Sequence, residues 1–564
     1  MSQPINASRR ALLRHVSALS ALGIGMPLAL NLATIGAAAA QVAPGTIKDY
    51  KAIVCLYLAG GNDAHNTVIA TDPTSMASYN MYRGAGTPDT IALSAAEMLP
   101  ITPITPQTGR TFALHPNLGP LRDLFNQGRL GVVANVGTLM APMTKLQFLS
   151  GAVPAPPALA SHNSQSFQWQ CRQGIAGWGN RMSELLMSAN SVEVLSSISV
   201  AGNSPFLAGI RPAQLQVNSD GIPPLNAFVA PNLFGSTMAP ATKLQLLSGA
   251  VPAPPALASH NSQSFQWQCR QGIAGWGNRM SELLMSANSI EVLSSISVAG
   301  NSSFLAGIRP AQLQVNSDGI PPLNAFVAPN LFGSTMAPAA NRELMTRNRT
   351  EPFAGSQTAV VNRLLEAQSA LQHSMLPAGA GGVAGAAVPN GLTVGLQNIA
   401  RVIGGHATSN VKRQVFYVAI GGFDTHSELL RFHGERMTVV AAAMKYFDDV
   451  LGAMNMRDNV TLFTGSDFGR SLTTNHSGAD HGWGGHHFVM GGAVRGGDIY
   501  GRYPVIGSGT DDDIGRGMLL PGLSIDQYAA TIARWFGLSE SQLDDVFPLL
   551  RNYGTHRNLG FMKT

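Results

Sequence analysis

The sequence predicts an α/β fold: a mostly parallel central sheet with helices on both faces. Three observations carry that expectation. Short apolar runs such as residues 52–58 and 415–420 end in glycine-containing segments, as strands buried on both faces do. Stretches with near-helical apolar spacing lie between such runs, as crossover connections require. Only 12% of the residues are charged and 45% are hydrophobic, which excludes a disordered chain and allows a large core.

The first segment stands apart from the fold. Ser8-Arg9-Arg10-Ala11-Leu12-Leu13-Arg14 sets paired arginines ahead of an uncharged, apolar stretch over about residues 16–40. It closes on Ala37-Ala38-Ala39-Ala40-Gln41, a small-residue cleavage site. A basic start, an apolar middle and an A-x-A end predict a twin-arginine-type signal peptide over residues 1–40. Ser17, Ser20, Gly23, Gly25, Pro27 and Asn31 dilute the stretch, which favours cleavage over a lasting anchor. The expected partner is the twin-arginine export machinery, the expected location is periplasmic or secreted, and no stable membrane span is expected after cleavage. Residues 1–40 hold three arginines of the net +5, which leaves +2 for the mature chain, residues 41–564. A nearly neutral chain without a basic stripe is not expected to bind nucleic acid. Cys55, Cys171 and Cys269 supply no disulfide framework.

The chain contains a tandem duplication. Residues 137–234 and 235–332 are near-identical copies of 98 residues that differ at six positions. Lys145 recurs as Lys243 and Trp178 as Trp276, while Cys171 and Cys269 are one cysteine counted twice. The unit is longer and more alike than solenoid repeats of about 20–50 residues. Similar flanks at Gly137, Gly235 and Gly333 suggest misaligned recombination, and removing one copy leaves 466 of the 564 residues. Residues 41–564 are therefore read as a single domain. Close-packed interiors leave room for one copy, so the other is surplus.

Along the mature chain, strands are expected at residues 52–58, 130–136, 415–420, 460–463 and 488–490. Helices are expected at residues 118–126, across much of 342–375, from 428 to about 454, and at 525–536 with Ser524 as cap. Residues 376–389, rich in glycine, alanine and proline, read as a loop.

Acidic and imidazole side chains stand just beyond these strands: Asp63 and His65, Asp424 and His426, then Asp467, and soon after Asp480, His481, His486 and His487. In open α/β sheets the carboxyl ends of the strands line the ligand crevice. Carboxylate oxygen with imidazole nitrogen suits a divalent metal such as zinc or manganese. Each residue also has a plainer reading. Asp63 could shape a turn, Asp424-Thr425-His426 could cap the next helix, and Asp467 could bind amides of its own loop. In a strand only one of His486 and His487 can face the site. His115 more naturally opens a helix before Pro116, and His406, His433 and His476 read as surface residues. The duplicated unit adds Ser161-His162-Asn163-Ser164-Gln165, which recurs as Ser259-His260-Asn261-Ser262-Gln263. Ser161 and Ser259 read as a nucleophile, an anion cradle or a helix cap; His162 and His260 read as metal ligands.

Several motifs occur in one order. They are Gly60-Gly61-Asn62-Asp63, Leu114-His115-Pro116, Ser161-His162-Asn163-Ser164-Gln165, Gly177-Trp178-Gly179, Gly422-Phe423-Asp424-Thr425-His426, Ser466-Asp467-Phe468-Gly469-Arg470 and Asp480-His481-Gly482. That order resembles the exported bacterial family known as domain of unknown function 1501, itself similar to the alkaline phosphatase and sulfatase superfamily. The resemblance implies an alkaline-phosphatase-like fold, with Asp63, Asp424, His426, Asp467 and His481 or His486 as metal ligands. Phe468 stands where that superfamily often has histidine, and the sulfatase motif Cys-x-Pro-x-Arg is absent. The expected function is metal-dependent hydrolysis of a phosphate or sulfate ester, small-molecule or glycan, with Arg470 steadying the anion. The alternative is a non-catalytic exported binding protein on a degenerate hydrolase fold.

Overall fold

The computed structural model describes residues 49–156, 159, 198–199, 215–216, 276–288, 291–299, 304–305, 313–315, 335–347, 358, 362, 375–377, 379–385, 390–408 and 411–563. The signal segment, Ser161, His162, Ser259, His260, Cys171 and Cys269 lie outside the described residues.

The central sheet is mixed but mainly parallel. Its strands run in the order β15 (Ile499–Tyr500), β5 (Leu130–Gly137), β14 (Gly485–Met490), β11 (Val460–Ser466), β1 (Lys51–Leu58), β10 (Arg413–Ile420), β8 (Ser295–Ser297) and β9 (Leu313–Gln314). A ninth, β16 (Leu523–Ser524), also pairs with β5. Within this sheet only β14 runs against its neighbours, β11 and β5. The parallel register of β1 with β10 and β11 brings Leu58, Ile420 and Ser466 to one edge.

Alternate residues of β1 face opposite cores, as the two-residue strand period requires. Ala52, Val54, Leu56 and Leu58 pack with α3 (Gly119–Asn126), α7 (Gly391–Gly404) and α8 (Leu429–Ala453). Ile53, Cys55 and Tyr57 pack with α5 (Trp276–Leu284), α9 (Ile525–Phe536) and α10 (Glu540–Val546) on the other side. Each fully buried Leu, Ile, Val or Phe contributes roughly 1.5–3 kcal/mol through removal from water. The architecture is thus helix, sheet, helix.

The expected elements recur with small shifts at their ends. The strand foreseen at residues 488–490 begins earlier, at Gly485, and runs antiparallel. Ser524 caps α9 through a capping box with Gln527. Within residues 342–375 the structure describes the end of α6 (Ala337–Thr346), which starts before that span, and helical backbone at Thr358 and Asn362.

Smaller elements surround the crevice. β2 (Val68–Ala70), β4 (Phe112–Leu114) and β3 (Leu99–Ile101) form an antiparallel sheet. β12 (Arg470–Thr474) pairs antiparallel with β13 (Ala479–His481). Two short helices, α1 (Ala64–Thr67) and α2 (Pro73–Tyr82), follow β1, and α4 (Lys145–Ser150) follows β5.

Residues of the second copy of the duplicated segment pack into the core. Trp276, Met280, Leu284 and Phe304 are buried against Tyr417 and Phe463. β8 and β9 extend the sheet beyond β10. In the first copy, β6 (Ile198–Ser199) and β7 (Leu215–Gln216) occupy the corresponding positions, 98 residues earlier, and pair in parallel with each other.

Candidate metal centre

Three side chains meet beyond the ends of β10 and β13. Asp424 and His426 stand in the loop after β10, and His481 ends β13. Backbone bonds bring them together: Ala479 N–H donates to the Thr425 carbonyl (3.2 Å), and Leu429 N–H donates to that of Ser477 (2.8 Å). The His426 and His481 Nε2 atoms are 2.9 Å apart. Asp424 Oδ1 lies 3.1 Å from the first and 3.3 Å from the second. Donor atoms bound to a tetrahedral zinc at about 2.0–2.1 Å stand about 3.3 Å apart, so this near-equilateral triangle fits a divalent ion. The triangle borders an open cleft of about 400 Å³ lined by His426, Ser471, Asp480, His481, Arg516 and Met518.

Supporting residues set the chemistry of each donor. Burial opposes ionisation of Asp424. Hydrogen bonds from His481 and Arg470, with the charges of Arg470 and His426, outweigh it and hold the carboxyl well below the usual range. Partial burial and then the Arg470 charge push His426 down, favouring the neutral ring that a metal needs. Asp480 Oδ1 lies 3.7 Å from His426 Nδ1, which favours a proton there and a lone pair on Nε2. The ring of Phe468 packs on His481 with centroids 4.4 Å apart. Gly61, at φ 91°, makes room for Phe468: a Cβ there would lie 2.3 Å from the ring.

Arg470 is fully buried beside this triangle. Nε donates to the Gly61 carbonyl (3.1 Å) and Nη1 to that of Ala479 (2.8 Å). Nη2 donates to the Gly60 carbonyl (2.7 Å) and to Asp424 Oδ1. His426 Nε2 lies 3.5 Å from Nη1. A guanidinium has five N–H donors, and four of them reach three backbone carbonyls and Asp424. Arg470 therefore positions Asp424.

The other strand-end acids do not join the triangle. Asp63 is fully buried in a two-pronged ion pair with Arg83, Nη1 to Oδ2 at 2.7 Å and Nη2 to Oδ1 at 2.5 Å. It starts α1 without capping it. Asp467 accepts from Tyr57 Oη (2.5 Å) and from Gly60 N–H (3.0 Å), so it reaches the neighbouring loop rather than its own. Asp424-Thr425-His426 does not cap α8, whose first flanking residue is Glu428.

The remaining histidines separate into buried and exposed. His486 and His487 point to opposite faces of β14, against Tyr503 and Tyr528 respectively, and both are buried. His486 Nδ1 accepts from Asn135 N–H (3.0 Å). His115 opens a short 3-10 helix, accepting from Asn117 N–H (3.0 Å). His433, read from sequence as a surface residue, is buried instead and sits 3.1 Å from Asn62 Oδ1. Burial lowers His65, His115, His433, His486 and His487 to about 3. His406 stacks on Tyr50, and the His476 side chain is exposed.

Sequence reasoning did not single out Arg83, Ser471 or Arg516. Arg83 follows α2 as an ordinary helix-end cation, and nothing local ties it to Asp63. The flanking glycines of Gly515-Arg516-Gly517 were the available signal for a projecting side chain.

The family described as protein of unknown function (DUF1501) matches residues 333–547, which supports the resemblance to that family. The matched span contains Asp424, His426, Asp467, Arg470 and His481. No curated protein matches the chain.

Proposed function

We propose that the cleft is a metal-dependent hydrolase site for a phosphate or sulfate ester, on an alkaline-phosphatase-like fold. The observation that carries the reading is the triangle of Asp424 Oδ1, His426 Nε2 and His481 Nε2, with edges of 2.9, 3.1 and 3.3 Å. These three residues would hold one divalent ion, zinc or manganese. When bound, that ion supplies polarisation of an ester oxygen and a lowered pKa for water. Arg470 fixes the Asp424 carboxylate, and Asp480 orients His426. Ser471 Oγ donates to the Thr473 carbonyl and accepts from Asp480 N–H, each at 3.1 Å, so it braces the cleft rather than attacking. The paired arginines at the N-terminus support a twin-arginine signal and a periplasmic or secreted location.

A second reading is a non-catalytic binding protein. The commitment of Asp63 to Arg83 and of Asp467 to Tyr57 favours it, because both acids are withdrawn from the site. Turnover separates the two readings. The mature chain, loaded with zinc or manganese, is assayed on generic aryl phosphate and aryl sulfate esters. The hydrolase reading expects release of the alcohol that stops on chelation and in His481→Ala. Equal rates in wild type and His481→Ala would defeat it.

A further inference from the structure

Arg516 lines the cleft from the tip of a tight loop, and no role has yet been assigned to it. Its backbone holds φ 55°, a left-handed conformation that long side chains rarely adopt. The surroundings impose that conformation. Asp513 is buried; its Oδ1 accepts from the N–H groups of Gly515 (2.9 Å) and Gly517 (2.8 Å). Its Oδ2 accepts from Gly509 N–H (2.8 Å). The loop is also stitched to β12: Thr473 Oγ1 donates to the Arg516 carbonyl (2.9 Å), and Leu472 N–H to that of Gly517 (3.0 Å). β12 begins with Arg470 and pairs with the strand that carries His481.

Arg516 is exposed and, among the described residues, forms no ion pair. Arg83, Arg470 and Arg502 by contrast are each paired with an aspartate. Strained residues persist only where surrounding structure over-determines them, and they concentrate at functional sites. A guanidinium offers two parallel donors that match two oxygens of a tetrahedral anion.

We propose that Arg516 is the anion-recognition residue of this cleft, taking two oxygens of a phosphate or sulfate group through its guanidinium fork. The proposal rests on reading the cleft as an ester site.

The test titrates inorganic phosphate, and separately sulfate, into the mature chain by calorimetry, metal-loaded and after chelation. Arg516→Gly removes the fork and suits the left-handed backbone, so the fold is kept, as a melting curve checks. Arg516→Lys keeps the charge and loses the fork. Arg516→Gly is expected to weaken anion binding about tenfold or more while metal content stays at the wild-type level, with Arg516→Lys between. Which of the two anions responds identifies the ester class. Unchanged anion affinity in Arg516→Gly overturns the proposal, as does a wild type that binds neither anion in either state. A wild type without metal defeats the metal site instead, and the chelated titrations then still decide the role of Arg516.

Discussion

Asp63 and Asp424 stand at equivalent places, each a few residues past a parallel strand, yet they meet different fates. Asp424 meets His426 and His481, whereas Asp63 is sealed against Arg83 twenty residues on. The sequence made both acids visible, because strand ends and glycine turns are local patterns. It did not reveal their partners, because Arg83 reaches Asp63 only through the packing of α2. Removing one partner of a buried ion pair leaves an uncompensated charge, so Arg83→Met should cost about 3–5 kcal/mol in urea unfolding. Gly61 is a second residue of this kind. Gly61→Ala drives a Cβ into Phe468, which supports His481. Metal affinity measured by competition with a chromophoric chelator should fall at least several-fold, with the melting temperature lowered as well.

At the scale of elements, apolar runs located the strands of the central sheet but not the direction of β14. Strand direction follows from the connection. A parallel return from β11 needs a crossover, usually a helix, whereas the intervening residues form the β12–β13 hairpin. The hairpin carries His481 to Asp424, so the centre depends on a feature that periodicity does not display. Capping was legible because it is local: Ser524→Ala should cost about 1 kcal/mol in denaturant unfolding. The duplicated element gives a sharper comparison. Trp276 is buried against Phe304, Phe463 and Phe547, so Trp276→Ala should cost about 3–5 kcal/mol. The same change at Trp178, in the other copy, should cost far less.

The described residues form one helix–sheet–helix body that draws on both copies of the duplicated segment. Residues 137–156 come from the first copy, whereas α5, β8 and β9 come from the second. Deleting residues 157–254 joins Pro156 to Pro255 and restores one complete copy. That shortened chain should keep the metal and melt at or above the full-length temperature in a circular dichroism scan. Five buried histidines set the acid limit of the fold. Their folded values near 3 lie below the ordinary 6.5, so the unfolded chain binds more protons between these two pH values. Stability is fully present above about pH 6.5 and is lost as pH falls toward 3. Each fully effective histidine contributes up to about 1.4 kcal/mol per pH unit in that window. Urea midpoints should therefore drop steeply from pH 7 to pH 5 and change little from pH 7 to pH 8.

The central claim is that Asp424, His426 and His481 hold one divalent ion. Its most direct test is the metal content of the purified mature chain, measured by elemental analysis beside the double variant His426→Ala, His481→Ala. The account predicts about one zinc or manganese per wild-type chain and almost none in the variant, with both folded by circular dichroism. A folded wild type without stoichiometric metal, or a double variant that retains it, would contradict the account.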